Sequence, residues 1–277
     1  MTGELAFGIT AAERADHARL GAELERLGCG ELWVNDTQRG DGLATLAAIA
    51  PGTSVLHFGV GVIALSEQSP ATIAERVSSA PLPLDRLTLG LGSGSSASLQ
   101  LVRDGVAEVR RRLPHLSVAV AAVGPRMAHL AGEVADAVVA NWADPDRLAL
   151  IREHVAEGAE SAGRTAPRFV AYVRVALGRG ATERLRAEIA RYRRSGAHYG
   201  RAFDAQREAL IGVAVESGDP AELAASLAPY RAVVDTLVVR GLPAADTVDG
   251  WLEIARAAFS GLSRASDRSS GGASFPR

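Results

Sequence analysis

Lysine is absent from this chain of 277 residues, so all 30 basic residues are arginine. Without a side-chain amine, Schiff-base and pyridoxal chemistry through lysine is excluded. Cysteine occurs once, at Cys29. One thiol supports neither an intramolecular disulfide nor a thiolate zinc cluster, and it fits a reducing compartment with Cys29 as a small core residue. The histidines at 17, 57, 115, 129, 154 and 198 never take a His-x-His or His-Glu-x-x-His spacing, so no metal is assigned. A Gly-x-Ser-x-Gly elbow, a Gly-x-x-x-x-Gly-Lys phosphate loop and a dinucleotide Gly-x-Gly-x-x-Gly opening a helix are all missing. No apolar run approaches the ~20 residues that span a bilayer, and Met1–Thr10 has neither a basic start nor an apolar core. A soluble, cytoplasmic protein with no membrane partner is therefore expected. The formal charge of −2 gives no general pull toward nucleic acid.

What is present is a chain able to bury a large core: 47% of residues are hydrophobic and 22% charged. Its length suits two domains or one α/β barrel. Short runs rich in β-branched residues alternate with Ala/Arg/Glu/Leu segments at helical spacing, which predicts parallel strands with crossover helices. Strands are expected near Leu5–Ile9, Glu31–Val34, Val55–Ile63, Arg86–Leu91, Leu116–Val123, Ala137–Ala140, Phe169–Ala176 and Thr236–Val239. Helices are expected at Ala12–Leu27, Gly42–Ala50, Pro70–Ser79, Ala97–Leu113, Arg126–Val134, Pro145–Ala162, Ala181–Arg194 with a second piece near Ala205–Ile211, Pro220–Tyr230 and Val248–Phe259. Asp144-Pro145 and Asp219-Pro220 each put a capping acceptor before a proline whose missing N–H needs no partner. Eight such units imply a single (β/α)8 barrel over residues 1–262. The Ser/Gly-rich remainder, 263–277, is expected to be a disordered tail.

Barrel active sites lie at the C-terminal ends of the strands. The fourth expected strand ends in Gly90-Leu91-Gly92-Ser93-Gly94-Ser95, whose glycines let a flat ring or phosphate approach the backbone, or make an ordinary turn into a serine-capped helix. Gly124-Pro125-Arg126-Met127 runs from a strand into a helix and leaves N–H groups beside a guanidinium. That suits an anion, or is a plain Gly-Pro helix start. After the second strand, Asn35-Asp36-Thr37 leads through Gln38 and Arg39, either toward a ligand or into an Asx turn. Gly59 and Gly61 in the third strand mark a bulge, a close ligand or tight packing. Asn141-Trp142 after the sixth strand and Arg240-Gly241 after the eighth are further lining candidates. The run Arg191-Tyr192-Arg193-Arg194 with His198, Tyr199 and Arg201 reads as a solvated helix face, or as a clamp for an acidic tail or substrate.

Taken in this order, the junctions resemble those of the luciferase-like flavin and coenzyme F420-dependent oxidoreductases. The matching segments are Ala22-Glu23-Leu24-Glu25-Arg26-Leu27-Gly28 leading to Leu32-Trp33-Val34-Asn35-Asp36, Pro70 with Ala74, Asp85 through Gly94, Gly124 through Met127 with Leu130 through Asp136, Glu157-Gly158-Ala159 with Ala162-Gly163-Arg164, and Gly218 through Glu222. The resemblance covers residues from about 5 to 259. It implies a barrel that binds a flavin-type ring at its mouth for hydride transfer. It puts a ring-contacting bulge, often a non-prolyl cis peptide in that family, at Gly61-Val62. The cofactor phosphate goes to Gly124, Pro125, Arg126 and Met127, and the ring edge and side chain to Asp36, Gly92, Ser93, Gly94 and Ser98. Arg39, Ser95, Asn141, Trp142 and Arg240 are left to line the substrate side.

Two departures from the family pattern bear on the reaction. The sugar-phosphate dehydrogenases of the F420 branch carry a histidine directly after the aspartate and a glutamate directly after the Gly-x-Gly. Here those positions are Thr37 and Ser95, and the lysines that hold a sugar phosphate are absent. Alcohol oxidation by a histidine base is thereby disfavoured, and a reductase is expected that delivers hydride to a C=C or C=N bond of a small molecule, with Thr37 relaying a proton. Further, only 29 residues separate Gly94 from Gly124, which shortens an excursion that in family members covers the substrate side. An FMN-dependent monooxygenase and a non-catalytic flavin-binding protein are the alternatives. The family suggests a homodimer, and the arginine-only, alanine-rich composition suggests a GC-rich actinobacterial genome.

Overall fold

The computed structural model describes residues 2–14, 16–37, 40–195, 203, 204, 206 and 211–270, with backbone alone for 195 and 261–270. Nine strands occur among the described residues: β1 (Glu4–Thr10), β2 (Glu31–Asn35), β3 (His57–Ala64), β4 (Leu87–Gly92), β5 (Ser117–Ala121), β6 (Ala137–Asn141), β7 (Arg168–Leu177), β8 (Gly212–Val215) and β9 (Thr236–Gly241). The helices between them are α1 (His17–Arg26), α2 (Gly42–Ile49), α3 (Pro70–Ser79), α4 (Leu99–Arg112), α5 (Pro125–Val134), α6 (Pro145–Ser161), α7 (Ala181–Ser195), α8 (Pro220–Arg231) and α9 (Val248–Ser270). Every ladder is parallel, and β1 through β7 followed by β9 pair in a ring that β9 closes onto β1. The fold is thus the expected (β/α)8 barrel, and only α4 with a short 3₁₀ turn fills the interval between β4 and β5.

Local chemistry starts the helices where the sequence places them. Asp144 accepts from the Arg147 N–H at 2.8 Å and Asp219 from the Ala221 N–H at 2.9 Å, each with proline following. Three expectations are corrected. The first helix begins at His17 rather than Ala12, because the Asp16 carboxylate pairs with Arg19 at 3.1 Å and caps no backbone N–H. Ala12 is instead held to α2, its N–H donating to Thr45 Oγ1 at 3.2 Å. A ninth strand, β8, runs beside Arg174 to Leu177 on β7, taking up the edge that β6 leaves at Tyr172. The last helix continues past Phe259 to Ser270, into the segment expected as a tail, and residues 271–277 lie outside the described residues. Most of the expected helical piece at Ala205–Ile211 lies outside them too.

Inside the barrel, Ala6, Ala119 and Ala137 leave room for two large rings, Trp33 and Tyr172, which meet edge-on at 6.0 Å. A Cβ at Gly59 would overlap the Trp33 indole, so this glycine serves packing. Between barrel and helices lies one continuous apolar layer that includes Leu20, Leu46, Ile73, Val106, Leu223 and Leu252. At the N-terminal end of the barrel, Arg168 forks onto Glu31 with bonds of 3.0 and 2.7 Å. These layers set the strand ends rigidly around the opposite, C-terminal mouth.

Candidate functional site

The third strand makes the mouth irregular. Its register against β4 shifts between Val60 and Ile63, and the Gly61–Val62 peptide bond within that bulge is cis. Gly61 and Val62 are half-buried. The Asn35 amide donates to the Gly61 carbonyl at 2.9 Å, and Arg240 in turn donates to Asn35 Oδ1 at 3.3 Å. Below the bulge, the Tyr172 hydroxyl is buried with no hydrogen-bond partner among the described residues, and burial holds its phenol well above the ordinary value. A Cβ at Gly61 would run into that hydroxyl.

On the neighbouring strands, Gly92 ends β4 beneath Val62, and Ser93, Gly94 and Ser95 form the turn above it. Gly94 adopts φ +61°, the left-handed region that a side chain resists, and packs over Ser66. The Ser98 hydroxyl accepts from the Leu101 N–H at 3.2 Å as the cap of α4. Gly124 caps α5 without a side-chain bond, and a Cβ there would meet nothing within 4 Å. Arg126 is exposed and has no ion-pair or hydrogen-bond partner among the described residues. A cavity of about 340 Å³ adjoins this helix start, between α4 and α5, with Leu99, Arg126, His129 and the Arg103–Glu133 ion pair on its walls. Open backbone N–H groups, an unengaged guanidinium and free space fit a phosphate group there.

A cleft of about 1120 Å³ opens to one side of the mouth rather than over the glycines. Asp36, Thr37, Arg14, His17, Arg76 and Glu67 are among its walls. Thr37 is exposed and forms a two-way backbone bridge with Gly40, and Arg39 lies outside the described residues. Asp36 accepts from the Gly42 N–H at 2.7 Å. Burial nonetheless raises its carboxyl above the usual range, with Asp41 adding to the rise. A raised folded value means that stability falls as pH climbs through the carboxylate range. Asp36→Asn keeps an acceptor for Gly42 and removes the buried charge. Its melting temperature should match wild type near pH 4 and exceed it at pH 7; a wild-type advantage at pH 7 would refute this electrostatic cost.

Across the mouth from these groups sits a cluster that sequence reading found only in part. Trp142 is buried, with φ +55°, and stacks under the Arg174 guanidinium at 4.2 Å. Arg174 also bonds Asn141 Oδ1 and the Tyr192 hydroxyl, the latter at 3.1 Å. Arg240 bonds Thr10 Oγ1 and the Gly241 carbonyl besides Asn35. Burial, with Arg174 next, brings the Arg240 guanidinium down to about 10, still charged at neutral pH. Burial alone would raise the Tyr192 phenol; Arg174, Arg191 and Arg240 together outweigh it and hold the phenol below its ordinary value. Asp36, the β3 bulge, Gly92 and Gly124 thus occupy the β2-to-β5 arc, while Asn141, Trp142 and Arg240 occupy the other. Arg174 was not among the expected residues, and Tyr192 stood only in the run read as a solvated helix face or a clamp for an acidic tail or substrate. An arginine inside the apolar run Val173-Arg174-Val175 was the available signal. Among the described residues, no group of three His, Cys, Asp or Glu side chains is placed to hold a metal, and no helix is long and apolar enough to cross a membrane.

A family model described as luciferase-like monooxygenase matches residues 2–116 and 106–247. A 5,10-methylenetetrahydromethanopterin reductase of Methanolobus tindarius is 24% identical over 176 residues, covering 50% of this chain and 54% of the relative. The match therefore spans about half of that relative's length. Among solved structures, an F420-dependent secondary alcohol dehydrogenase in complex with an F420-acetone adduct superposes with a TM-score of 0.76 at 14% identity, covering 92% of this chain and 98% of that one. The oxygenating constituent of 3,6-diketocamphane monooxygenase from Pseudomonas putida, in complex with FMN, superposes with a TM-score of 0.60 at 17% identity, covering 93% and 97%. At such identities the structures establish a shared fold.

Proposed function

The chain belongs to the luciferase-like monooxygenase family, and from that premise we propose that it is an F420-dependent oxidoreductase that acts as a reductase on a C=C or C=N bond of a small molecule. The observation that carries this reading is the backbone cradle: a bulge at Gly61–Val62 and a strand end at Gly92, beside an α5 N-terminus with open space around Gly124. When bound, the reduced deazaflavin supplies a hydride. The chain's own part is placement. Gly124, Pro125, Arg126 and Met127 hold the phosphate; Gly61, Val62, Gly92, Ser93 and Gly94 offer backbone to the ring; Asn35 and Arg240 fix the Gly61 carbonyl. Asp36, whose carboxyl is raised by burial, and the adjacent Thr37 hydroxyl are the groups suited to hold and pass a proton. The F420-bound neighbour supports the deazaflavin, the reductase relative supports reduction, and Thr37 in place of a histidine base supports reduction over alcohol oxidation.

An FMN-dependent monooxygenase is the second reading, favoured by the likeness to an FMN-bound oxygenase. Against it, α4 alone spans the interval from β4 to β5, which gives little shielding for oxygen chemistry. Fluorescence titrations with oxidised F420 and with FMN separate the two. Selective binding of F420 supports the reductase, and a preference for FMN shifts the assignment to the monooxygenase. Arg126→Glu reverses a charge at the α5 start and should weaken whichever cofactor binds by about tenfold. Unchanged affinity would remove the phosphate from that helix.

A further inference from the structure

The mouth carries two buried guanidinium groups, and among the described residues no carboxylate bonds either of them. Arg174 on β7 is 1% exposed and Arg240 on β9 is 9% exposed. All their hydrogen bonds go to neutral acceptors: Asn141 and Tyr192 for Arg174, Asn35, Thr10 and the Gly241 carbonyl for Arg240. The Arg174 Nε has no partner. Two carboxylates act on Arg240 without bonding it: Glu188, which also feels Arg174 and is already forked onto Arg191 at 2.7 and 2.8 Å, and Asp246, which pairs with Arg14 at 2.9 Å. Neither Arg174 nor Arg240 forms an ion pair with a carboxylate among the described residues. Buried charges are ordinarily paired, because desolvation is otherwise uncompensated.

We propose that the substrate taken at this mouth carries a carboxylate, which docks on Arg240 with Arg174 behind it. Resting on the reading of the mouth as the reaction site, this names the substrate class. A guanidinium fork matches the two oxygens of a carboxylate, and the bond Arg240 now makes to Thr10 is of the kind an incoming oxygen replaces, while its bond to Asn35 stays in place. Thr10 is half-buried beside it and marks the approach. The ligand is the substrate rather than the cofactor by position. In the closed ring, β7 and β9 stand opposite β3 and β4, whose glycines are the backbone offered to the ring, and the cofactor phosphate has its own place at α5.

Trp142, stacked on Arg174, supplies the signal. The full chain, without cofactor, is titrated with acetate and benzoate and with their uncharged counterparts acetamide and benzamide, following tryptophan fluorescence. The carboxylates should bind saturably and about tenfold or more tightly than the amides, with the signal lost in Trp142→Phe. Arg240→Gln should abolish that preference without changing the circular dichroism spectrum, and Arg240→Lys, which retains the charge, should keep it. Amides that bind as well as carboxylates, or an Arg240→Gln protein with undiminished preference, overturn the proposal. Since no cofactor is needed, the two readings fail separately. Carboxylate preference without F420 or FMN binding sinks the functional reading and supports this one, and cofactor binding without carboxylate preference does the reverse.

Discussion

Replacing Gly158 by valine should cost the chain most of its stability and leave little soluble protein. Helices α5 and α6 cross at two glycines. A Cβ at Gly158 would fall on the His129 carbonyl, 2.7 Å from its carbon and 3.0 Å from its Cα, and one at Gly132 would fall on the Val155 carbonyl and 2.8 Å from the Ala159 nitrogen. These are backbone atoms, which cannot rotate aside as a side chain does, so the helices must separate. Separation opens the layer formed by Ala128, Ala131, Val155 and Ala159, all buried. Overpacking a core costs about 1–3 kcal/mol where side chains can yield. A branched side chain driven into a carbonyl should exceed that, against a typical total of about 5–15 kcal/mol. Gly158→Ala, with one methyl, should fold and melt lower by roughly 5–10 °C. Gly30→Ala is the control, since its Cβ meets nothing within 4 Å. A valine variant that is soluble and melts like wild type would show that the crossing is not as tight as the backbone implies.

The barrel was legible because its strands are buried on both faces and read as runs of Val, Leu, Ile and Ala, separated by helices whose caps are written in Asp-Pro pairs. Errors fell where local signals compete. Ala12 to Arg14 has helical composition, yet the chain there is tied to Thr45 on α2 and α1 waits until His17. Gly212–Val215 is too short for a β pattern to outweigh its surroundings, and what makes it a strand is the free upper edge of β7, a tertiary fact. The last helix runs past the expected end at Phe259 to Ser270, since Leu, Ala and Arg are good helix formers whatever surrounds them.

At the mouth, composition alone left each glycine with two readings. Gly59 proves to be a packing glycine under Trp33, whereas Gly61, two residues on and facing the same interior, sits in the bulge. No single-sequence pattern separates them, and family resemblance did. Arg174 is the opposite case. Arginine is rarely fully buried, so its place in a strand between two valines carried information that the strand assignment absorbed. Tyr192, in a run that reads as a solvated helix face, is drawn half inside by Arg174 and Trp142. Its role depends on contacts 18 and more residues away in sequence.

Gly61→Ala tests the cradle most sharply. The added methyl meets the Tyr172 hydroxyl, with the ring carbon Cζ at 3.1 Å and the Trp33 ring at 3.4 Å. Both rings are locked in the barrel interior, so the strand must shift toward the mouth, into space assigned to the cofactor ring. A shift that costs about 1–3 kcal/mol corresponds to roughly 5- to 150-fold weaker cofactor binding. Tyr172→Phe discriminates between this clash and a general loss of fold. It deletes a buried hydroxyl that has no partner, so alone it should be neutral or mildly stabilising. In the double variant the nearest obstacle is gone, although the close approach to the ring carbon remains, so most but not all of the affinity should return. The cycle should therefore show a coupling energy that opposes the loss caused by Gly61→Ala alone. If Tyr172→Phe restores nothing while both single variants melt normally, the methyl acts on the ligand directly, and the Tyr172 hydroxyl has no part in shaping the bulge.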